Sequence, residues 1–435
     1  MRLIITLLYI CFCSFISRAQ NWTALGSGID WEPKCFLNDS VTSTLYIGGN
    51  FLVAGGLQVN EIASWNGIQW DSLGRGAYGS TSVWSITRYK NDIIASGAFV
   101  RNYGNFLGAW NGTSWDSLSL GINEVAYALE VIDDTLYVGG AFDTVDGIQT
   151  NLFAKWDGAN WYPYHLPFRA GGEAITDICS YKGKMYICGN FNDTVITQTE
   201  NIAILENGQL IPVGPYSTYP YGVGISKLII YHDELYMSGL FSSSLGNNIQ
   251  KWDGTSMSSV GSGIGTDWQI FDMTVFNDEL YIVGSFTMVD GIPAQYIARW
   301  NGSVWNPVSN DVFNNVITTV GSYNNELYIG GGFTRINNQL INRIAKYTGP
   351  LGIISPNIST QVSIFPSPVT DYLHIKSDQL LITKVCLRNI LQKEILSDEM
   401  CSFEMVLNTE KLVPGIYFLE ITTAEGVVAK KFVKE

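Results

Sequence analysis

The chain has 435 residues, of which 46% are hydrophobic and 15% are charged, and its formal net charge is -14. It is longer than one ordinary hydrophobic core requires, and its composition is typical of a folded protein rather than a disordered one. So acidic a chain is a poor partner for nucleic acid or an anionic membrane surface, since both are bound through clustered lysine and arginine. The 44 glycines, 23 tyrosines and 13 tryptophans favour turns and strands, and hence an all-β fold.

The first 19 residues have the pattern of a secretory signal peptide. Arg2 precedes a short apolar run, and Ser17 and Ala19 are the small residues that a signal peptidase recognises. We therefore expect residues 1–19 to be removed, with Gln20 as the mature N-terminus and a route through the periplasm. No later stretch has the ~18 uninterrupted apolar residues of a membrane helix, so we predict no transmembrane segment in the mature chain.

One seven-residue motif occurs seven times. It reads Leu-Tyr-Val-Gly-Gly-Ala-Phe at residues 136–142, and successive copies begin 43 to 50 residues apart. The other copies span residues 45–51, 93–99, 185–191, 235–241, 280–286 and 327–333. A nearly constant period of this length indicates a repeat architecture.

Each repeat carries the signals of four strands. An alternating apolar segment such as Ile270 to Phe276 precedes the motif, which is itself the second strand. A variable loop leads to a third strand such as Ile297 to Trp300, and an Asn-Gly or Asp-Gly turn leads to a fourth. A four-stranded antiparallel unit of ~45 residues has the length of a propeller blade, and blades packed around an axis bury both faces of each sheet.

The two ends of the repeat region are incomplete in complementary ways. The last unit stops after the third strand at Ile344 to Gly349, whereas Asn21 to Gly28 is a fourth strand with no unit ahead of it. We therefore predict a seven-bladed β-propeller over residues 20–349, in which the N-terminal strand closes the last blade. An open solenoid would instead need capping units at both ends.

The repeat resembles a known family. The pattern Leu-Tyr-Ile-Gly-Gly-x-Phe, a loop, and then Ile-Ala-x-Trp-Asn-Gly-x-x-Trp-x-x-Leu-Gly is similar to the kelch-like propeller repeats of many bacterial secreted proteins and of fungal cortical polarity markers. The resemblance covers residues 21–349 and implies a propeller fold. It departs from kelch in the spacing of Tyr and Trp after the double glycine, and a propeller alone implies no activity.

A different region follows the repeats. Residues 350–361 are rich in Pro, Gly and Ser, which predicts a linker. Residues 362–435 contain seven short predicted strands, which suggest a β-sandwich.

The C-terminal region resembles the type A C-terminal sorting domain of the type IX secretion system in Bacteroidetes. The segments that carry the resemblance are Phe365 to Ile375, Leu387 to Ile395, Leu412 to Ile421 and Lys430 to Glu435. The resemblance implies that the domain engages the secretion machinery, carries the protein across the outer membrane and is then removed, often with attachment of the cargo to surface lipopolysaccharide. The residues assigned to the sorting motif are Pro366, Pro368, Gly415, Tyr417, Lys430 and Lys431.

No catalytic or metal-binding motif is found. Five cysteines and three histidines follow the signal peptide, without the spacing of a metal site or of a nucleophile and its base. We therefore predict no catalytic residue, no metal and no cofactor, although a pair of carboxylates contributed by different blades would leave no mark in the sequence. Cys179 and Cys188 flank one predicted hairpin turn, where they could form a disulfide or be two small apolar strand residues.

Binding is the function that the repeat favours. The connections from second to third strand and from each fourth strand to the next unit are long, and both project from the same end of the ring. Exposed aromatic and acidic residues in these loops would suit a glycan or a protein surface. The candidates are Tyr78, Tyr103, Asp143, Asp146, Tyr216, Tyr219, Tyr221 and Trp268. We expect a secreted or surface-displayed binding module, and the alternative is a secreted glycan-active enzyme with its site on this face.

Overall fold

The computed structural model contains two compact units, divided between Gly349 and Pro350. It describes residues 21–74, 76, 82–97, 106–168, 173–193, 199–213, 217–218, 224–243, 245–265, 268–349, 362–377, 380–389, 394–423 and 426–435. Within these ranges every regular element is a β-strand, so the protein is all-β. No helix in the same ranges is long and apolar enough to cross a membrane.

The described residues of the first unit form 37 strands. In chain order they are β1 Trp22–Ala24, β2 Pro33–Asp39, β3 Thr44–Gly49, β4 Val53–Ala54, β5 Leu57–Gln58, β6 Ile62–Trp65, β7 Trp70–Ser72, β8 Val83–Tyr89, β9 Asp92–Gly97, β10 Leu107–Trp110, β11 Trp115–Asp116, β12 Ala126–Ile132, β13 Thr135–Gly140, β14 Thr144–Val145, β15 Ile148–Gln149, β16 Phe153–Trp156, β17 Trp161–Pro163, β18 Ala174–Tyr181, β19 Lys184–Asp193, β20 Thr199–Glu206, β21 Gln209–Pro212, β22 Ser217–Thr218, β23 Ile225–Tyr231, β24 Glu234–Ser243, β25 Gly246–Trp252, β26 Met257–Ser259, β27 Ile270–Phe276, β28 Glu279–Gly284, β29 Met288–Val289, β30 Ile292–Pro293, β31 Ile297–Trp300, β32 Trp305–Pro307, β33 Ile317–Tyr323, β34 Glu326–Gly331, β35 Arg335–Ile336, β36 Gln339–Leu340 and β37 Ile344–Tyr347.

Most of these strands form antiparallel sheets of the same design, numbered here 1 to 7. The sheets are β2-β3-β6-β7, β8-β9-β10-β11, β12-β13-β16-β17, β18-β19-β20-β21, β23-β24-β25-β26, β27-β28-β31-β32 and β33-β34-β37-β1. Strand β22 adds to sheet 5 beside β24, and the small hairpins β4-β5, β14-β15, β29-β30 and β35-β36 lie in connections from second to third strands. The first strands contact one another in the order β2, β8, β12, β18, β23, β27, β33 and then β2 again, which is the arrangement of a β-propeller.

The N-terminal strand completes sheet 7. In its pairing with β37, Trp22 lies opposite Tyr347 and Ala24 lies opposite Ala345. The Thr318 hydroxyl in sheet 7 donates a hydrogen bond of 2.9 Å to the Pro33 carbonyl in sheet 1. The two ends of the repeat region are therefore joined both within a sheet and between neighbouring sheets.

The double glycine of the motif provides space for close packing. A Cβ atom on Gly139 would lie 2.5 Å from the Ile175 side chain in the next sheet, and one on Gly140 would lie 2.2 Å from the Val125 carbonyl oxygen. The second glycine approaches backbone, which cannot move aside easily, whereas the first approaches a side chain that a neighbour can accommodate. This difference explains why all seven copies have the second glycine while Ser96 or Val283 can replace the first.

Tryptophans at the start of the fourth strands link neighbouring sheets. Each indole N–H donates to a backbone carbonyl about one repeat earlier, as in Trp161 to Leu118 at 3.0 Å. The other pairs are Trp70 to Leu25, Trp115 to Leu73 and Trp305 to Val260.

Replacing Trp161 by Phe is expected to lower the free energy of unfolding by about 1–3 kcal/mol, because a buried carbonyl loses its donor. The neighbouring Tyr162→Phe substitution is the control, since its hydroxyl donates an exposed hydrogen bond to Asp157 and its loss should have a smaller effect. Urea unfolding of both variants measures the difference, and equal effects would contradict a role for the indole hydrogen bond.

The second unit is a small β-sandwich. Its strands are β38 Val362–Phe365, β39 Tyr372–Ser377, β40 Ile382–Asn389, β41 Glu394–Ser402, β42 Glu404–Asn408, β43 Gly415–Thr423 and β44 Gly426–Lys434. They form the sheets β38-β39-β42 and β41-β40-β43-β44. Leu373 and Ile375 from one sheet pack with Val385, Leu419 and Ile421 from the other in a single hydrophobic core.

Candidate functional site: the central cavity

A cavity of about 820 Å³ lies where the first strands of all seven sheets converge. Its volume is within the range of small-ligand sites. Every first strand contributes to the lining, so the cavity is formed mainly by strands, whereas the sequence pointed to loop residues.

A register irregularity occurs near the start of every first strand. In sheets 4, 5 and 6 it lies between Ile175 and Asp177, between Ile225 and Lys227, and between Ile270 and Asp272, and sheets 1, 2, 3 and 7 have it at the equivalent place. Such bulges reorient side chains. In these three sheets the residue after the bulge is charged and lines the cavity.

The charged residues after the bulges form a connected group. The Lys227 ammonium lies 3.6 Å from a carboxylate oxygen of Asp177, which also accepts a hydrogen bond of 2.8 Å from the Leu228 backbone. Asp177 is the main reason why the pKa of Lys227 is raised. Asp272 accepts a hydrogen bond of 3.0 Å from the Val320 backbone in sheet 7, and burial raises its pKa. These carboxylates therefore join neighbouring sheets as well as lining the cavity.

Glu130 of sheet 3 differs from these residues. Within the described part of the chain, its carboxyl group has no hydrogen bond and no ion pair within 4.0 Å, although it lines the same cavity. Burial, and then the negative charge of Asp177, raise its pKa to about 7, while Lys227 acts in the opposite direction. The carboxyl therefore titrates near neutral pH and faces open space.

The raised pKa of Glu130 predicts a pH dependence of stability. The folded protein holds this proton up to about pH 7, whereas the unfolded chain loses it near the ordinary value of 4.5. The stabilisation is therefore full below about pH 4.5 and is lost as the pH rises to about 7. Glu130→Gln should remove this part of the decline in unfolding free energy, while Glu206→Gln at the exposed end of β20 should not. Urea unfolding across this pH range measures the free energy of unfolding. If that free energy fell with pH in Glu130→Gln as it does in the original protein, Glu130 would not be the cause of the decline.

Two aromatic residues lie beside each other in the cavity lining. Trp84 of sheet 2 is 39% exposed, and its ring meets that of Tyr127 in sheet 3 edge-on, with centroids 5.5 Å apart. The ammonium of Lys34 lies 5.7 Å from the centre of the Trp84 ring and 3.2 Å from the Glu32 carboxylate. An exposed aromatic surface with polar neighbours therefore borders the cavity.

The loop residues proposed from the sequence are only partly covered by the structure. Five of them lie outside the described residues: Tyr78, Tyr103, Tyr216, Tyr219 and Tyr221. Trp268 is 37% exposed and directly precedes Gln269, which lines the cavity.

Asp143 and Asp146 are occupied by hydrogen bonds within the chain. Asp143 accepts one of 2.7 Å from the Asn123 side chain and one of 2.8 Å from the Thr144 hydroxyl, and these donors lower its pKa. Asp146 accepts from the Ser119 hydroxyl at 2.7 Å. Both carboxylates thus connect the β14-β15 hairpin to the preceding loop, and their role in ligand binding stays a prediction.

The disulfide considered for Cys179 and Cys188 is not present. Both thiols are free, because the strand register places Cys179 opposite Tyr186 and Cys188 opposite Asp177. Burial raises the pKa of Cys179 to about 12, as expected for a thiol packed among apolar strand residues. Among the described residues, no group of three or more His, Cys, Asp or Glu is placed to hold a metal ion.

The residues assigned to the sorting motif lie in the sandwich. Tyr417 is buried, its hydroxyl donates to the Val413 carbonyl at 2.9 Å, and its ring stacks on Phe432 at 5.6 Å. Pro366 and Pro368 both follow cis peptide bonds.

The other motif residues belong to the paired strands β43 and β44. Gly415 begins β43, opposite Lys434. Lys430 and Lys431 lie in β44 opposite Leu419 and Phe418 of β43.

The C-terminal domain is recognised by a family model. Residues 363–435 match the model described as a secretion system C-terminal sorting domain, which confirms the assignment made from its motifs. The chain is therefore exported through the type IX secretion system to the cell surface or the medium, and its C-terminal domain interacts with the secretion machinery.

The solved structures that resemble the whole chain are only distantly similar to it. No curated protein matches it. A solved structure of PorZ, described as an essential surface component of the type IX secretion system of Porphyromonas gingivalis, is 12% identical with a TM-score of 0.43, covering 90% of this chain and 58% of that one. GH43B of the Bacteroides ovatus xyloglucan PUL is 12% identical with a TM-score of 0.28, covering 80% and 89%. The GH74 enzyme of Niastella koreensis is 12% identical with a TM-score of 0.25, covering 73% and 68%. TM-scores below 0.5 establish no common fold, so no property of these proteins transfers to this chain.

Proposed function

We propose that this protein is a secreted or surface-displayed seven-bladed β-propeller that binds a glycan in its central cavity without catalysing a reaction. The observation that carries this proposal is the contact between the exposed Trp84 ring and the half-buried Tyr127 ring in a cavity of about 820 Å³. Aromatic faces pack on the apolar faces of sugar rings, and neighbouring polar groups can bond the hydroxyls.

The number of blades is part of the proposal. Seven sheets that share the same order of four strands, and a closed circuit of contacts between their first strands, support it. The recurring double glycine and fourth-strand tryptophan support a kelch-like repeat.

A glycan fits the cavity better than a protein surface does. The site is concave and walled by strands, so an extended oligosaccharide can enter where a flat protein surface cannot. A protein ligand would have to use the loops around the cavity instead. After export, removal of the sorting domain and attachment to surface lipopolysaccharide would place the cavity outside the cell, where glycans are met.

Substitution of the aromatic pair tests the binding site. Trp84→Ala should weaken binding of a glycan identified on an array by about tenfold or more, because the stacking surface is lost. Trp31→Ala is the matched control, since Trp31 is 54% exposed and does not line the cavity. Isothermal titration of the purified variants measures both. Equal binding by Trp84→Ala and the original protein would contradict a cavity site.

A glycan-active enzyme is the second candidate, and Glu130 is the observation that favours it. A carboxyl with a pKa of about 7 could act as a general acid, with the nearby Asp177 as the second carboxylate. Polysaccharide turnover that is lost in Glu130→Gln would establish this alternative. Binding without turnover would favour the non-catalytic module.

A further inference from the structure

Four charged residues lie on one side of the cavity, and a Glu32–Lys34 pair lies at the start of sheet 1. Sheets 3 to 6, which follow one another around the ring, contribute Glu130, Asp177, Lys227 and Asp272. Sheets 7 and 1 contribute apolar residues such as Val320 and Phe36. The charged side has three carboxyl groups and one ammonium group, so it favours a cation over an anion when the carboxyls are ionised.

The ammonium groups of the cavity are already paired. Lys227 lies 3.6 Å from Asp177 and is also influenced by the charge of Asp272. Lys34 lies 3.2 Å from Glu32. An anionic ligand would have to displace one of these carboxylates, so an acidic glycan is disfavoured.

The carboxyl groups of the cavity differ in the number of hydrogen bonds and ion pairs that they make. Asp177 has Lys227 and a backbone donor, and Asp272 has backbone donors and a hydroxyl. Glu130 alone among the charged residues of the described cavity lining has neither an ion pair nor a hydrogen bond. A partly buried carboxylate without a partner is unfavourable, and a ligand cation beside it would remove that cost.

One ring of the aromatic pair belongs to the same strand as this carboxyl. Tyr127 and Glu130 are both on β12, and Trp84 contacts Tyr127. Aromatic faces attract cations, and the Trp84 ring already has the Lys34 ammonium 5.7 Å from its centre. One strand therefore offers an anionic group and an aromatic group to the same ligand.

We propose that the glycan bound in the cavity carries a positively charged amino group, which pairs with Glu130 while the sugar ring packs on Trp84 and Tyr127. This inference rests on the proposed glycan-binding function. The ligand class is an amine-bearing glycan rather than a neutral, acetylated or acidic one. Glu130 is then the residue that determines specificity, because it distinguishes an ammonium from an amide at the same position of the sugar.

Two oligosaccharides of equal length test the inference on the whole purified protein. Glucosamine oligomers and their fully N-acetylated counterparts are titrated calorimetrically at neutral pH. We expect the amine form to bind about tenfold more tightly, as a charge-assisted hydrogen bond predicts. Glu130→Gln should abolish this preference by weakening binding of the amine form, while Glu206→Gln, at the exposed end of β20, should retain the preference.

The outcomes separate this inference from the function on which it rests. Equal affinity for both oligomers, reduced in each case by Trp84→Ala, would overturn the amine preference and leave the glycan site intact. Binding of lysine-rich peptides, with no binding of either oligomer, would overturn both. A preference for the amine that persists in Glu130→Gln would assign the specificity to another residue and contradict the role of Glu130.

Discussion

Deleting residues 21–28 is expected to lower the melting temperature of the protein by roughly 10 °C or more, because β1 is the outer strand of sheet 7. Trp22 accounts for much of this effect. It is 1% exposed, and its ring lies 4.8 Å from Tyr347 and 6.0 Å from Phe313 between ring centres. Trp22→Ala alone should cost about 3–5 kcal/mol, as large-to-small substitutions in a core do.

The deletion also removes contacts with sheet 1. The Leu25 carbonyl accepts the indole hydrogen bond of Trp70 in sheet 1 at 2.9 Å. Within the last repeat, the Ser27 carbonyl accepts a hydrogen bond from the Asn342 side chain, which the deletion also removes. Calorimetric unfolding of the deletion variant and of Trp22→Ala measures the loss. Trp31→Ala, which removes a mostly exposed ring, should have little effect. An unchanged transition in the deletion variant would show that the N-terminal strand does not close the fold.

Deleting residues 362–435 should abolish export. The protein would then accumulate in the periplasm, because the sorting domain is the part that engages the secretion machinery. Cell fractionation and immunoblotting measure where the protein is found. Normal surface display or release of the truncated protein would contradict the assignment.

A single substitution offers a more limited version of this export test. Tyr417→Ala should reduce export strongly, because it removes a buried ring and its hydrogen bond to Val413. Lys431→Gln, an exposed change in the edge strand β44, tests whether the charge of the motif is needed in addition to the fold. Loss of export in Lys431→Gln with an intact melting transition would indicate direct recognition of the lysine.

Much of the fold follows from periodic signals that act locally. The second glycine of each motif is required by a close backbone approach within its own repeat, as at Gly140. The fourth-strand tryptophan recurs because its indole reaches the previous repeat, as Trp161 reaches Leu118. Such requirements return with every unit, so a count of the motif indicates the number of sheets. Because the fourth strand has the same pattern in most repeats, the N-terminal segment could be recognised as the fourth strand that the last sheet lacks.

The cavity could not be predicted in the same way. Trp84 and Glu130 lie in strands whose apolar alternation reads as ordinary core, and a bulge changes the direction of side chains without a clear sequence signal. Their proximity depends on how neighbouring sheets pack. When the repeats are aligned on the motif, Asp177, Lys227 and Asp272 fall at the same position. This shared position was the one sequence signal for the charged residues of the cavity lining. Loop carboxylates such as Asp143 instead resembled ligand acceptors, although their hydrogen bonds are made within the chain.

The most direct test of the proposed function is a crystal structure of the purified protein with a glycan that it binds. We expect a sugar ring in the central cavity, packed on Trp84 and Tyr127, with an amino group beside the Glu130 carboxyl. A glycan bound to the outer loops, with these three side chains free of contact, would contradict the account.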